Sequence, residues 1–402
     1  MGKVKYALPW ALIGVVTMLT WGQAPSDKMR TQARTAAAAA NQFGAKLLAD
    51  EASHKRHENI FLSPLSIFLA LSMTENGAAG QTRAAMRNTL AIPADLSEDA
   101  YQEDASALSQ VLRSKTDIEL SIANALWADQ KIQLADGFVK RAKDYYDASA
   151  SSLDFRKPQA ADAINSWVSE HTQGKIPTIV TPAMVRTAEV ILTNAVYFRG
   201  RWRDPFDQRQ TQDEVFHKVS GERKVPMMHH SRLEDAYRSG NGYEAARLPY
   251  RSSGVAMYAI LPAAGQSPEQ ALADISVPNL LHSPERSELD LRLPRFSLNY
   301  DTLLKDPLGR MGMGIAFEKD KADFSRMASS KLWIDDVVHK TRLEVDEVGT
   351  VAAAATGTRM AAAAMIKRER KTLVFDRPFA VLLCDEQTDA VLFAGVIYDP
   401  GP

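Results

Sequence analysis

The chain predicts an α+β protein built around one shared core, and three observations lead there. Helical apolar spacing is concentrated in the first half. Strand-like runs dominate from about residue 215 onward, and no repeat period or Pro/Ser-rich linker separates the halves. The 402 residues are 45% hydrophobic and 24% charged, enough apolar material for a large core.

The elements follow in order. Lys3 and Lys5 precede an apolar run at 6–19, and Ala24 offers a small-residue cleavage point, so residues 1–24 read as an export signal. A membrane anchor is the competing reading. The run is short for a bilayer span, however, contains Pro9 and has no adjacent cysteine for lipidation. Residues 25–40, ending in five alanines, are expected to be a flexible lead-in. Phe43, Leu47 and Leu48 then have helical spacing, and Ser63 before Pro64 caps a second apolar helix that stops at Asn76 and Gly77. The runs 118–129 and 189–202 read as strands. Between them, 161–176 reads as an amphipathic helix closed by Gly174. Further β-rich runs lie at 254–262, 289–298, 331–347, 371–386 and 390–400.

Composition excludes several functions. The 48 Lys plus Arg nearly balance 49 Asp plus Glu, so no broad electrostatic footprint for nucleic acid exists. Nucleophile-elbow, zinc-protease, C-x-x-C and phosphate-loop motifs are absent, and the glycines of 309–314 stand in the wrong order for a dinucleotide turn. His229 and His230 are adjacent, so on a strand they face opposite ways and cannot easily share a metal. Cys384, the only cysteine, precludes an internal disulfide. It ends an apolar run, where it acts as a small buried hydrophobe rather than a catalytic thiol. The basic run 367–371 reads as solvated surface, with a polyanion contact as the alternative. No enzyme active site, cofactor or metal is expected.

The segment 346–370 is different. It holds two runs of four alanines, at 352–355 and 361–364, yet no apolar stripe to hold a helix on a core. As an extended chain it makes sense. Thr350, Ala352, Ala354, Thr356, Thr358 and Met360 would face one way, uncharged and almost all small; the opposite parity carries Val351, Ala353, Ala355, Gly357 and Arg359. Such a segment can enter a packed sheet without burying a charge.

The stretch DEVGTVAAAAT resembles the hinge of the serpins, the serine protease inhibitor family, which has the form E-E-G-T-E-A-A-A-A-T. FLSPLSIFLALSMTENGAAGQT, ILTNAVYFRGRW, DRPFAVLL and VLFAGVIYDP resemble further serpin motifs in the family's order, over about residues 41–400. The resemblance implies a domain at 41–402 with a mixed central β-sheet, further sheets, helices mainly from the N-terminal half and an exposed reactive-centre loop at about 347–372. It also implies a suicide inhibitor: the target serine protease cleaves the loop, is acylated, and is trapped covalently as the loop enters the central sheet. By resemblance, Glu347, Gly349, Thr350, Ala352, Ala353, Ala354, Ala355 and Thr356 form the hinge. Ser63, Ser66, Asn194 and His339 match the polar shutter beneath the sheet, and Trp202 matches the breach where insertion begins.

Val348 and Val351 replace glutamates usual in the hinge, but no proline or charge interrupts 350–358, which favours an inhibitor over a non-inhibitory carrier or chaperone. Counting the family's distance from Gly349 sets the reactive bond at Ala363–Ala364, with Met365 and Lys367 as runners-up. The expected protein is a secreted, periplasmic or extracellular monomer. Its partner is a protease, not nucleic acid or, after signal removal, a membrane.

Overall fold

The computed structural model describes residues 25–115, 117–251, 254–283, 287–350 and 369–401. The expected signal segment and loop residues 351–368 lie outside the described residues.

Helix α1 (Asp27–His54) begins at Ser26, whose hydroxyl accepts the Met29 N–H. The expectation of a flexible lead-in at 25–40 is therefore corrected. Ala33, Ala36, Ala37 and Ala40 fall at the three-and-four spacing of one helical face and are buried in line with Phe43, Leu47 and Leu48. Alanine forms a stripe too when the partner lies close. Strand β1 (Ile60–Leu62) leads into α2 (Pro64–Glu75), whose first turn is capped by the Ser63 hydroxyl and all of whose residues are buried. Gly44 lets the two helices approach, since a Cβ there would stand 2.2 Å from Cβ of Pro64. Then come α3 (Gly80–Thr89), α4 (Glu98–Arg113), β2 (Ile118–Asp129), α5 (Asp136–Tyr146), β3 (Ser149–Leu153), α6 (Gln159–His171), α7 (Pro182–Thr187) and β4 (Val190–Arg201).

The remainder is mostly strand: β5 (Gln212–Lys218), β6 (Gly221–Glu234), β7 (Tyr237–Gly240), β8 (Tyr243–Pro249), β9 (Val255–Pro262), β10 (Ser287–Pro294), β11 (Phe296–Leu303), β12 (Asp336–Val345), β13 (Gly349–Thr350), β14 (Glu369–Val374), β15 (Phe379–Asp385) and β16 (Ala390–Ile397). They form three sheets, ordered β1-β16-β15-β9-β8-β7, β14-β10-β6-β5 and β11-β12-β13-β4-β2-β3.

The third, central sheet is incomplete between β12 and β4. At its upper end the two-residue β13 lies between them, antiparallel to both, with Thr350 opposite Val345 and Gly200. Below it, β12 and β4 close directly on one another in parallel, Asp336 opposite Ile191 through Arg342 opposite Tyr197. Each face has its own core. On the back, α2 and the larger core cover Leu192, Val196, Phe198 and Val337; on the front, Ile164 and Val168 of α6 pack in one cluster with Ala123, Trp127, Ile191, Ala195 and Val338. Cys384 is fully buried in β15, and that burial pushes its thiol well above the usual range. Among the described residues no helix is long and apolar enough to cross a membrane.

Candidate functional site

The upper end of the gap is a prebuilt turn. Oδ1 of Asp346 accepts the N–H groups of Val348 (2.9 Å) and Gly349 (3.0 Å), and the Asp346 N–H donates to the Gly349 carbonyl. The Trp202 indole N–H donates to the Asp346 carbonyl at 2.8 Å, and the Trp202 backbone N–H to Val348. Glu347 is only 3% exposed. Its Oε1 accepts the Thr211 hydroxyl at 2.7 Å and faces Arg295 at 3.7 Å, while its carbonyl accepts the Phe206 N–H. Burial raises the Asp346 carboxyl above its usual range, with the two accepted N–H groups opposing the shift.

Gly349 is required by space. A Cβ there would stand 2.1 Å from the Gly200 carbonyl oxygen and 2.8 Å from Cα of Arg201, backbone atoms that cannot turn aside. The Thr350 side chain is fully buried on the back face, where its hydroxyl lies 2.7 Å from that of Tyr250. The Tyr250 ring stacks on Trp202 with centroids 4.6 Å apart.

Further down, three strands present polar side chains at one level. Asn124 of β2 stands opposite Asn194 of β4, which stands opposite His339 of β12. All are buried against the first turn of α2. The Ser63 N–H donates to Nε2 of His339 at 3.2 Å, so that nitrogen must be bare and Nδ1 carries the proton it shares with Oδ1 of Asn194. The Asn194 amide donates to the Ser66 hydroxyl and to Oδ1 of Asn124. The Ser63 hydroxyl donates to the Leu392 carbonyl of β16 at 2.7 Å, and the Thr341 hydroxyl to the Phe61 carbonyl at 2.7 Å. Burial lowers the His339 pKa to about 3, and a proton on Nε2 would confront the Ser63 N–H with a second donor.

Ser63, Ser66, Asn194 and His339 thus meet in one cluster, while Trp202 joins Glu347, Gly349 and Thr350 at the top of the sheet. Ala352, Ala353, Ala354, Ala355, Thr356, Ala363, Ala364, Met365 and Lys367 lie outside the described residues. Sequence reasoning missed Asn124, Asp346 and Tyr250. Asn124 left a signal, a carboxamide at the parity of Ile122 and Leu126 in an apolar strand. Tyr250 left none, because only the tertiary fold brings it to residue 350.

A two-residue strand thus lies above a closed parallel seam, and buried polar groups bridge the strands beneath it. The family model for Serpin (serine protease inhibitor) matches residues 38–400, and the chain belongs to the serpin family. An uncharacterized serpin-like protein of Thermococcus kodakarensis is 35% identical over 352 residues, covering 86% of this chain and 81% of the relative. The leukocyte elastase inhibitor of Bos taurus is 32% identical over 378 residues, covering 90% and 99%. The crystal structure of the thermophilic serpin tengpin in its native state superposes with a TM-score of 0.81 at 28% identity, covering 93% of this chain and 95% of that one.

The buried His339 sets a pH dependence. Its pKa is about 3 in the fold against an ordinary value of 6.5, so between these limits the unfolded chain binds a proton that the native protein excludes. Stability contributed by neutral His339 is present above pH 6.5 and is lost as the pH falls toward 3, by about 1.4 kcal/mol per unit within the window. Lowering the pH from 6.5 to 5 should therefore cost about 2 kcal/mol through this group. Denaturant unfolding across that range should show a shallower pH slope in His339→Gln; an unchanged slope would refute the assignment.

Proposed function

We propose that the protein is an exported, single-use inhibitor of serine proteases that traps its target covalently by inserting the cleaved loop between β12 and β4. The carrying observation is β13: Thr350 already pairs with both flanking strands and Gly349 with β4, as the first residues of a strand that would replace the seam. Membership of an inhibitor family and likeness to an elastase inhibitor support the reading. So does the uncharged parity of Thr350, Ala352, Ala354, Thr356 and Thr358.

The register supports it further. Continued downward from Thr350, it brings Thr356 opposite both His339 and Asn194, the two side chains whose mutual bond must part; both flanking strands give the same answer. A hydroxyl there can both donate and accept, so the separated partners regain a common one. On the front, Ala355 would fall beside Ala195 and Gly357 beside Val338, beneath α6, where larger side chains would collide with Ile164 and Val168. Ordering each inserted residue costs about 1–2 kcal/mol, and each new ladder bond returns about 1 kcal/mol net. The balance tips toward insertion because one parallel seam becomes two antiparallel ones, the more stable pairing per residue.

Three outcomes are expected. A panel of serine proteases analysed on denaturing gels should give a stable complex with an elastase-like enzyme, mass spectrometry locating the cut at Ala363–Ala364. A complex formed only by trypsin-like enzymes through Lys367, or one cut after Met365, would move the bond. Only a plain cut chain would indicate a carrier or chaperone.

Loop cleavage should raise the melting temperature greatly as the strand fills the sheet, and an unchanged transition would refute insertion. Thr350→Arg would bury a cation beside Tyr250 at the first step, at a cost of several kcal/mol, and should turn the inhibitor into a substrate cut at the same bond. Val351→Glu should leave trapping largely intact. The number of inhibitor molecules consumed per trapped protease separates the two variants, and equal behaviour would mean the faces are wrongly assigned.

A further inference from the structure

We propose that Asp335 is a latch holding the lower end of the seam shut, and that its release lets β12 and β4 part over their full length, a positioning role that rests on the insertion reading above.

The ladder between β12 and β4 ends at Asp336 opposite Ile191. Just beyond it, a second set of bonds crosses the same gap. Oδ2 of Asp335 accepts the N–H groups of Glu189 (2.5 Å) and Val190 (3.0 Å), and the Asp335 N–H donates to the Val190 carbonyl at 2.9 Å. Three bonds therefore run from the residue before β12 to the entrance of β4, and the two that end on the carboxylate are of the stronger, charge-assisted kind. They join the two halves of the central sheet, β3-β2-β4 on one side and β12-β11 on the other.

Both sides of the latch are anchored. The Trp333 indole N–H donates to Oδ1 of Asp335 at 3.1 Å and aims the carboxylate, while the fully buried Ile334 between them donates its N–H to the Ala316 carbonyl at 3.1 Å. Across the gap, the Glu189 carbonyl accepts the Asp129 N–H at 2.9 Å and its carboxylate accepts the Lys131 amine at 2.6 Å, which fixes the start of β4 to the end of β2. Position does the rest. A strand growing downward from β13 parts the pairs of the seam in order, from Arg342 with Tyr197 to Asp336 with Ile191, and Asp335 lies beyond the last of them. While it holds, the halves stay joined at the bottom and the gap opens only as a wedge. Asp335 is half-buried, so its carboxylate can exchange the two N–H groups for water, and the latch resists opening without forbidding it.

Amide hydrogen exchange on the uncleaved full chain tests the latch directly, comparing wild type with Asp335→Ala and Asp335→Asn. The informative amides are those of 192–194 and 338–340, which lie along the seam and do not touch Asp335. In Asp335→Ala they should exchange about tenfold faster, while those of β9 and β15 stay unchanged. Asparagine keeps one oxygen for the two N–H groups and removes the charge, so Asp335→Asn should speed the same amides by less and decides the matter if the alanine variant does not fold. Faster exchange at Glu189 and Val190 alone would mean a local cap, and a uniform rise through β9 and β15 would mean general destabilisation; either would overturn the latch. Melting midpoints before and after loop cleavage supply the second readout. Asp335→Ala should lower the midpoint of the uncleaved form by several degrees and leave that of the cleaved form unchanged, because there the halves are already apart. An equal loss in both forms would overturn the latch, whereas a wild-type midpoint that does not rise on cleavage would overturn the insertion reading and leave the exchange result to decide whether Asp335 closes the seam.

Discussion

The parallel pairing of residues 336–342 with 191–197 is the contact on which the rest of the structure depends. Above it the sheet is open and holds two residues of a further strand; beneath it lies a bonded row of buried polar groups. A seam closed by leucines would be held by packing alone, and parting it would lose buried area with nothing specific to replace it. His339, Asn194 and Asn124 change that rule. A buried polar group left without a partner costs about 1–3 kcal/mol, so the seam resists opening until something arrives that can bond to the same atoms. The row therefore acts against empty gaps and in favour of an occupant with a hydroxyl at that level. Ser63 and Ser66 tie it to α2, and the bond to Leu392 ties it to β16, so displacement at the seam is felt in two layers.

The two faces of the sheet make different demands on anything that enters. The back is a deep core with a polar stripe, where Thr350 already finds the hydroxyl of Tyr250. The front is roofed by α6, with the Trp127 and Trp167 rings edge to face and 5.5 Å apart between strand and helix. Interiors are close-packed, so a strand sliding beneath that roof needs side chains near the size of a methyl group. An alanine-rich segment meets both demands at once, with threonines on the parity that needs hydroxyls. Its composition fits a slot rather than a helix.

The outline of the fold was legible because apolar periodicity and turn residues report local structure directly. Helix α2, with its Ser63 cap and its stop at Asn76, and strands β2, β4, β9, β12, β15 and β16 all lie where the pattern put them. The start of α1 was not legible. Its stripe of Ala33, Ala36, Ala37 and Ala40 has the right spacing, but alanine carries too little apolar surface to advertise a buried face, and only the close approach of neighbouring helices gives it one. The same limit hid part of the site. Ser63, Ser66, Asn194 and His339 came from the family resemblance, whereas Asn124 would have required noticing one carboxamide at an inward position of an apolar strand. Asp346 and Tyr250 act through backbone turns and tertiary neighbours, which no local pattern encodes.

The turn at residues 346–349 adds a kinetic consequence. Starting a new strand requires closing a loop and fixing several residues before any ladder bond repays the ordering, which makes nucleation the unfavourable step. Here that step belongs to folding itself: Asp346 holds the N–H groups of Val348 and Gly349, Trp202 holds the carbonyls of Asp346 and Val348, and Glu347 is anchored by Thr211 and Phe206. On the proposed insertion, what would remain is elongation, one residue at a time, from Thr350, which is already paired on both sides. Elongation is limited by the residues nearest the paired end, because each must be seated before the next can follow. On that reading a poorly fitting side chain at 352 would delay entry of the whole segment, whereas one near its far end would be met only after most of the seam had parted. The early positions would then govern how fast the strand enters, and the late ones how firmly it stays.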